Sequence, residues 1–161
     1  APHILVTGAP GNVGTHVVKA LQASGASLRI AAWDVEAARQ AFGNAVEIVR
    51  FDFLDPATYA QTFAGIDRMF LVRPPQLANV QKEIAPAVHA ALQAGVKHIV
   101  FLSLQGVEQN RMVPHHKIEK LLLDTGVDFT FLRASFFMQN LSTTHRKEIV
   151  ESGKIALPVG L

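Results

Sequence analysis

The chain opens with a short apolar run, residues 3–7, that ends at Gly8, and beyond it the period changes: Val13, Val17, Val18 and Leu21 recur on one helical face. That pattern is strand, turn, helix. Gly25 stops the helix, and residues 27–33 form a second strand in which Leu28, Ile30 and Ala32 alternate with Arg29 and Ala31. The result is a βαβ unit of about thirty residues. The alternation continues with a strand at 46–51, a helix introduced by Asp55-Pro56 as cap and first residue, and a strand at 68–72. Next come a long helix carrying Val80, Ile84, Val88 and Leu92, a strand at 98–103, a helix at 114–124 closed by Gly126, and a strand at 128–133. Six largely apolar strands separated by helices predict a doubly wound parallel sheet covered on both faces, with strand order 3-2-1-4-5-6.

After Arg133 the regularity weakens. An aromatic stretch, Phe136-Phe137-Met138, precedes a short polar helix at 144–151, and residues 155–161 are apolar. The whole chain, 1–161, is expected to be one domain, and its apolar close suggests a truncated, processed or partly recorded version of something longer.

Between the first strand and first helix lies Thr7-Gly8-Ala9-Pro10-Gly11-Asn12-Val13-Gly14, with its glycines spaced three apart. Gly8 permits the tight turn, Gly11 lets backbone approach a pyrophosphate with no Cβ in the way, and Gly14 lets the helix pack closely on the sheet. The helix N-terminus then presents unpaired N–H groups and the positive end of its dipole to an anion. A phosphate-loop NTPase is disfavoured because no Gly-Lys-Ser/Thr follows the turn.

Composition narrows the partners. At 161 residues, 49% of them hydrophobic, the chain is long enough for one real core. The 15 basic and 13 acidic residues leave a net charge of only +2, which argues against nucleic acid and for a small molecule. Cysteine is absent, which excludes disulfides and thiolate metal sites and is compatible with a reducing compartment. No leader-like start and no apolar stretch of about 18 residues is present, so a cytoplasmic, membrane-free protein is expected. His115 and His116 are adjacent rather than on one face, and no metal site is expected.

The glycine turn followed by Thr15-His16-Val17-Val18, then Phe51-Asp52-Phe53 and Val96-Lys97-His98-Ile99-Val100-Phe101-Leu102-Ser103, resembles the atypical short-chain dehydrogenase/reductases. The NmrA-like branch is the most similar, through the helix from His115 to Leu122 and the run Phe129-Thr130-Phe131-Leu132-Arg133 with Phe136-Phe137-Met138-Gln139-Asn140 after it. The resemblance implies that Gly8, Pro10, Gly11, Asn12 and Val13 hold the pyrophosphate of NAD or NADP. It further implies that Asp52 and Phe53 border the adenine, and that Leu71, Val72 and Arg73 pass the ribose. Asp34, about 20 residues after the glycines, is placed to select a ribose hydroxyl. Trp33 stands where members using the phosphorylated cofactor tend to carry arginine. These two residues favour NAD, although Arg39 offers a charge to a phosphate and Asp34 also suits a helix cap.

Such enzymes typically use a tyrosine and a lysine four residues later. The single tyrosine, Tyr59, is followed at that spacing by Phe63 and suits packing better than catalysis. Aligning Glu119 with the glutamate that follows the family lysine puts His115 at the lysine position and Arg111 at the tyrosine position. Without the usual acid, reduction of an electron-poor planar acceptor such as a quinone survives better than alcohol oxidation. The candidate catalytic residues are His115, to donate a proton near neutral pH, and Ser103, to hydrogen-bond the substrate carbonyl or the nicotinamide ribose. Phe136, Phe137 and Met138 are candidate walls for the acceptor. The alternative is a redox-sensing regulator that binds the dinucleotide without turnover and signals to a protein partner.

Overall fold

The computed structural model describes residues 2–155. The apolar run expected at the C-terminus lies, from residue 156 on, outside the described residues. Six parallel strands form one sheet in the order β3-β2-β1-β4-β5-β6, as the sequence pattern predicts. They are β1 (His3–Val6), β2 (Ser27–Ala32), β3 (Glu47–Arg50), β4 (Arg68–Leu71), β5 (His98–Leu104) and β6 (Asp128–Ala134). The principal helices are α1 (Asn12–Ala23), α2 (Val35–Phe42), α3 (Tyr59–Phe63), α4 (Ala85–Gln93) and α5 (Pro114–Thr125), followed by two short ones, α6 (Gln139–Ser142) and α7 (Arg146–Ser152).

Two apolar layers hold the sheet. One, on the α3, α4 and α5 side, contains Leu5, Phe63, Met69, Leu71, Val88, Ile99, Phe101, Ile118 and Leu122. The other, under α1 and α2, contains Val6, Val18, Ile30, Ala38 and Phe70. Because both faces are covered, β2 is buried from Leu28 to Ala32, and Arg29 is buried with its neighbours rather than alternating outward. Its guanidinium Nη1 donates to the carbonyls of Gln61, Thr62 and Ala64 at the end of α3, and its Nε lies 2.8 Å from Glu47 Oε1 on β3.

The long helix expected around Val80 to Leu92 is divided. Its first turn, Val80–Ile84, is π-helical, with the Ala85 N–H donating to the Val80 carbonyl, and α4 proper begins only there. Pro86 explains the break: it has no N–H to continue an α-helical ladder back into that turn.

Candidate functional site

The topological switch of the sheet lies between β1, whose chain turns one way to β2, and β4 on its other side. Thr7 is the pin at that point. Its N–H and its Oγ1 both donate to the Phe70 carbonyl at 3.0 Å, and Oγ1 accepts the Val72 N–H at 2.8 Å. The carboxyl ends of β1 and β4 are thereby held together while the chains beyond them diverge, which opens the crevice where sheets of this kind bind ligands.

Gly8 turns the chain with φ +73°, and a Cβ there would sit 2.7 Å from the Val72 Cβ. A Cβ on Gly11 would lie 2.6 Å from the Gly8 carbonyl oxygen, and one on Gly14 would collide with that same carbonyl group. All three glycines are thus required by the turn's own packing. The start of α1 has no side-chain cap and no acidic residue in its first turn. Its first intrahelical bond runs from the Thr15 N–H to the Gly11 carbonyl, so the N–H groups of Asn12, Val13 and Gly14 precede the ladder. Gly11 and Asn12 are exposed. This cradle of backbone donors without a Cβ suits a diphosphate.

The turn forms the floor of a cleft of about 920 Å³, walled by the ends of β2 (Trp33, Asp34), β3 (Asp52, Phe53, Leu54) and β4 (Val72, Arg73 and the loop to Leu77), with Phe137 across it. A second depression of about 860 Å³ lies at the opposite edge of the sheet, among Asp67, Arg68, Lys97, His98 and Asp128. It contains none of the expected cofactor-binding or catalytic residues.

The cleft brings together most of the expected cofactor residues. Leu71 is an exception, because its side chain is wholly buried in the core and only Val72 and Arg73 of that trio reach the cleft. Phe53 packs edge-on against Phe51, in a cluster with Tyr59 and Phe63. The Asp34 carboxylate accepts the Ala37 N–H at 3.0 Å, capping α2, and Asp52 Oδ1 accepts the Leu54 N–H at 2.8 Å. Arg39 is exposed and lies 3.5 Å from Glu36.

Tyr59 is a packing residue, as its sequence context suggests. Its hydroxyl donates to the Phe53 carbonyl, and burial, then Asp52 and Asp55, raise its pKa above the ordinary tyrosine value. Of the aromatic stretch, Phe137 lines the cleft, whereas Phe136 faces His145 with ring centres 5.9 Å apart and Met138 is exposed.

Ser103 is only 1% exposed, and its hydroxyl donates to Glu119 Oε1 at 2.6 Å. Glu119, 5% exposed, also accepts from Arg133 Nε at 3.0 Å and Nη2 at 2.8 Å. Burial works to raise the Glu119 pKa, but the hydrogen bonds from Arg133 and Ser103 together with nearby positive charge prevail and hold it below the ordinary value. Arg133 reaches Glu108 as well, at 3.4 Å. The Ser103 hydroxyl thus ties β5 to α5, whose Glu119 in turn holds Arg133 of β6. Sequence reasoning missed this cluster. The available signal was a glutamate among the apolar residues of α5, beside Ile118, Leu121 and Leu122, which are buried in the fold.

His115 opens α5, half-buried and stacked on Phe101 with ring centres 5.8 Å apart and planes 25° apart. Burial, and then the Arg73 charge, lower its pKa to about 4 against the opposing pull of Glu119. Its imidazole is neutral at pH 7. Arg73 itself folds back: Nη1 donates to the carbonyls of Pro74, Pro75 and Leu77 at 2.9, 2.8 and 2.8 Å, while its buried Nε has no partner. The neighbouring His116 directs Nδ1 to the Val107 carbonyl at 3.1 Å, and Lys120 pairs with Asp124 at 3.0 Å.

A parallel sheet of this order, with a glycine cradle at its switch point, defines a dinucleotide-binding fold of the Rossmann type. The family model for the NmrA-like family matches residues 2–159, and the chain belongs to that family. It is 36% identical over 160 residues to the prestalk A differentiation protein A of Dictyostelium discoideum, covering 98% of this chain and 52% of that protein. It is 30% identical over 161 residues to the NAD(P)H azoreductase of Xenophilus azovorans, covering 98% and 56% respectively. The triphenylmethane reductase of Citrobacter sp., solved in complex with NADP(H), superposes with a TM-score of 0.80 at 28% identity, over 95% of this chain and 56% of that one. The chain spans about half the length of the curated relatives it matches. Among the described residues no helix is long and apolar enough to cross a membrane.

Proposed function

We propose that the protein is a reductase that transfers hydride from a reduced nicotinamide dinucleotide to a small, planar, electron-poor acceptor such as a quinone or a conjugated dye. The observation that carries this reading is the uncapped start of α1 behind three glycines, opening into the cleft at the sheet's switch point. The azoreductase and triphenylmethane reductase relatives support it. Gly8, Pro10, Gly11, Asn12 and Val13 would hold the diphosphate, with Asp52 and the backbone at Phe53 along the adenosine and Val72 and Arg73 along the ribose on the other side. A bound reduced nicotinamide would supply the hydride. His115, neutral and under the influence of the Arg73 charge, would offer an N–H to the acceptor oxygen or nitrogen, and water would supply the proton. Ser103 acts through Glu119, as a positioning residue.

We further propose a preference for NADH. The Asp34 carboxylate stands at the end of β2, and the nearby cation, Arg39, is paired with Glu36. The Citrobacter relative holds NADP(H), so the comparison is a direct test.

Calorimetric titration with NADH and NADPH, followed by oxidation of each with a quinone and an azo dye, tests both statements. Binding with acceptor-dependent oxidation is expected, tighter for NADH. His115→Ala should lower kcat by about tenfold, short of the hundredfold or more expected when a general acid is removed. Binding without turnover would transfer the reading to a redox sensor, and binding of neither nucleotide would refute it.

A further inference from the structure

One cation lines the cleft among the described residues: Arg73, just beyond β4. Its guanidinium is held by dipoles and not by a countercharge. Nη1 donates to the carbonyls of Pro74, Pro75 and Leu77, and Arg73 takes part in none of the ion pairs among the described residues. Two of those carbonyls belong to consecutive prolines, whose fixed φ stiffens the segment. Nε is buried and has no partner. The two carboxylates of the cleft, Asp34 and Asp52, lie beyond β2 and β3 and accept backbone N–H groups instead. Burial lowers the Arg73 pKa, yet a guanidinium stays charged at neutral pH. The cleft therefore carries one uncancelled positive charge in a partly desolvated place, where a charge acts more strongly than in water.

The field of that charge reaches His115, which is neutral. A neutral imidazole offers an N–H but is a poor source of a full proton. Reduction of a quinone by hydride adds two electrons and one proton to it and leaves a hydroquinone monoanion, while the donor departs as the oxidised dinucleotide. The monoanion then takes its second proton from water, releasing hydroxide. With no ready acid the anion persists after the hydride has moved, and a fixed positive charge at that point lowers its energy without reorganisation. The same charge repels an acceptor that is itself a cation.

We propose that Arg73 is a catalytic residue that stabilises the oxyanion of the reduced acceptor, and that its charge restricts the acceptors to neutral quinones and related carbonyl compounds, shutting out cationic conjugated dyes. The inference rests on the reductase reading and gives the Arg73 side chain a task that its backbone's place along the ribose does not.

The probe is para-nitrophenol, whose anion stands in for the hydroquinone monoanion and is yellow where the phenol is colourless. Bound to wild-type protein it should ionise about one pH unit lower than in free solution, so that the anion binds about tenfold more tightly than the phenol. Arg73→Met should abolish that shift, and Arg73→Lys, which keeps the charge and loses the planar fork, should retain part of it. In turnover with NADH, wild type should reduce a benzoquinone but not a cationic triphenylmethane dye, and Arg73→Met should lose about tenfold in kcat for the quinone. Equal ionisation of the probe on wild type and Arg73→Met, equal loss in both variants, or no binding of the probe would overturn the role of Arg73. Reduction of the cationic dye as fast as the quinone would overturn it too. In each of these cases wild-type binding of NADH keeps the reductase reading standing, whereas failure to bind NADH would remove both inferences together.

Discussion

His115 shows how one side chain's surroundings decide what chemistry it can do. In the sequence it is a histidine at a helix start, where a pKa near 6.5 suits a proton donor. In the fold it lies on Phe101 within reach of the Arg73 charge, and burial first, then that charge, bring the pKa down to about 4. Because the folded-state value lies below the unfolded one, this group's contribution to stability is complete above about pH 6.5 and is lost as pH falls towards 4. Allowing for solvent on its open side, the loss at pH 5 is on the order of 1 kcal/mol. Urea unfolding of wild type and His115→Gln at pH 7 and pH 5 should show the variant losing less stability over that interval. Equal losses would mean that the imidazole is not held neutral. Ser103 illustrates the same limit on reading from sequence: a serine at a strand end is read as ligand-facing, and only the β5–β6 register and the face of α5 reveal that Glu119 and Arg133 meet it.

At the scale of elements, the glycine turn was the most legible part of the chain because steric demand is local: each missing Cβ answers to a nearby atom. The strand order followed from alternation and handedness, and the caps at Asp34 and Asp55 were visible as residue types. The π-helical turn before α4 was not visible, since apolar spacing continues through it and only the missing donor of Pro86 breaks it. Nor was the burial of Arg29, which depends on where α3 ends relative to β2. The turn yields a sharp expectation. A methyl on Gly14 has backbone on its near side, so neither the Gly8 carbonyl nor Ala9 N can move away without shifting α1 from the sheet. Gly14→Ala should cost about 1–3 kcal/mol in chemical denaturation, despite the higher helix propensity of alanine. A neutral or stabilising result would show that α1 does not pack as closely as the structure has it.

For the molecule as a whole, the cleft matters because of what it joins. Its walls come from residues 7–14, 33–37, 51–54 and 72–77, which are far apart in sequence and rooted in both apolar layers of the sheet. No single segment of the unfolded chain reproduces that arrangement, so a ligand that fills the cleft binds the folded state alone and must stabilise it by mass action. At a hundred times its Kd, a reduced dinucleotide should add about 2.7 kcal/mol, which for a chain of this size raises Tm by roughly 5–10 °C. ADP at the same multiple of its own, weaker Kd should give a similar rise, because the increment depends on occupancy and not on which half of the site is filled. Thermal melts over a concentration series of each check this. A Tm that stays flat while calorimetry reports binding would place the ligand on a surface that survives in the unfolded chain, and the cleft would lose its claim to be the site.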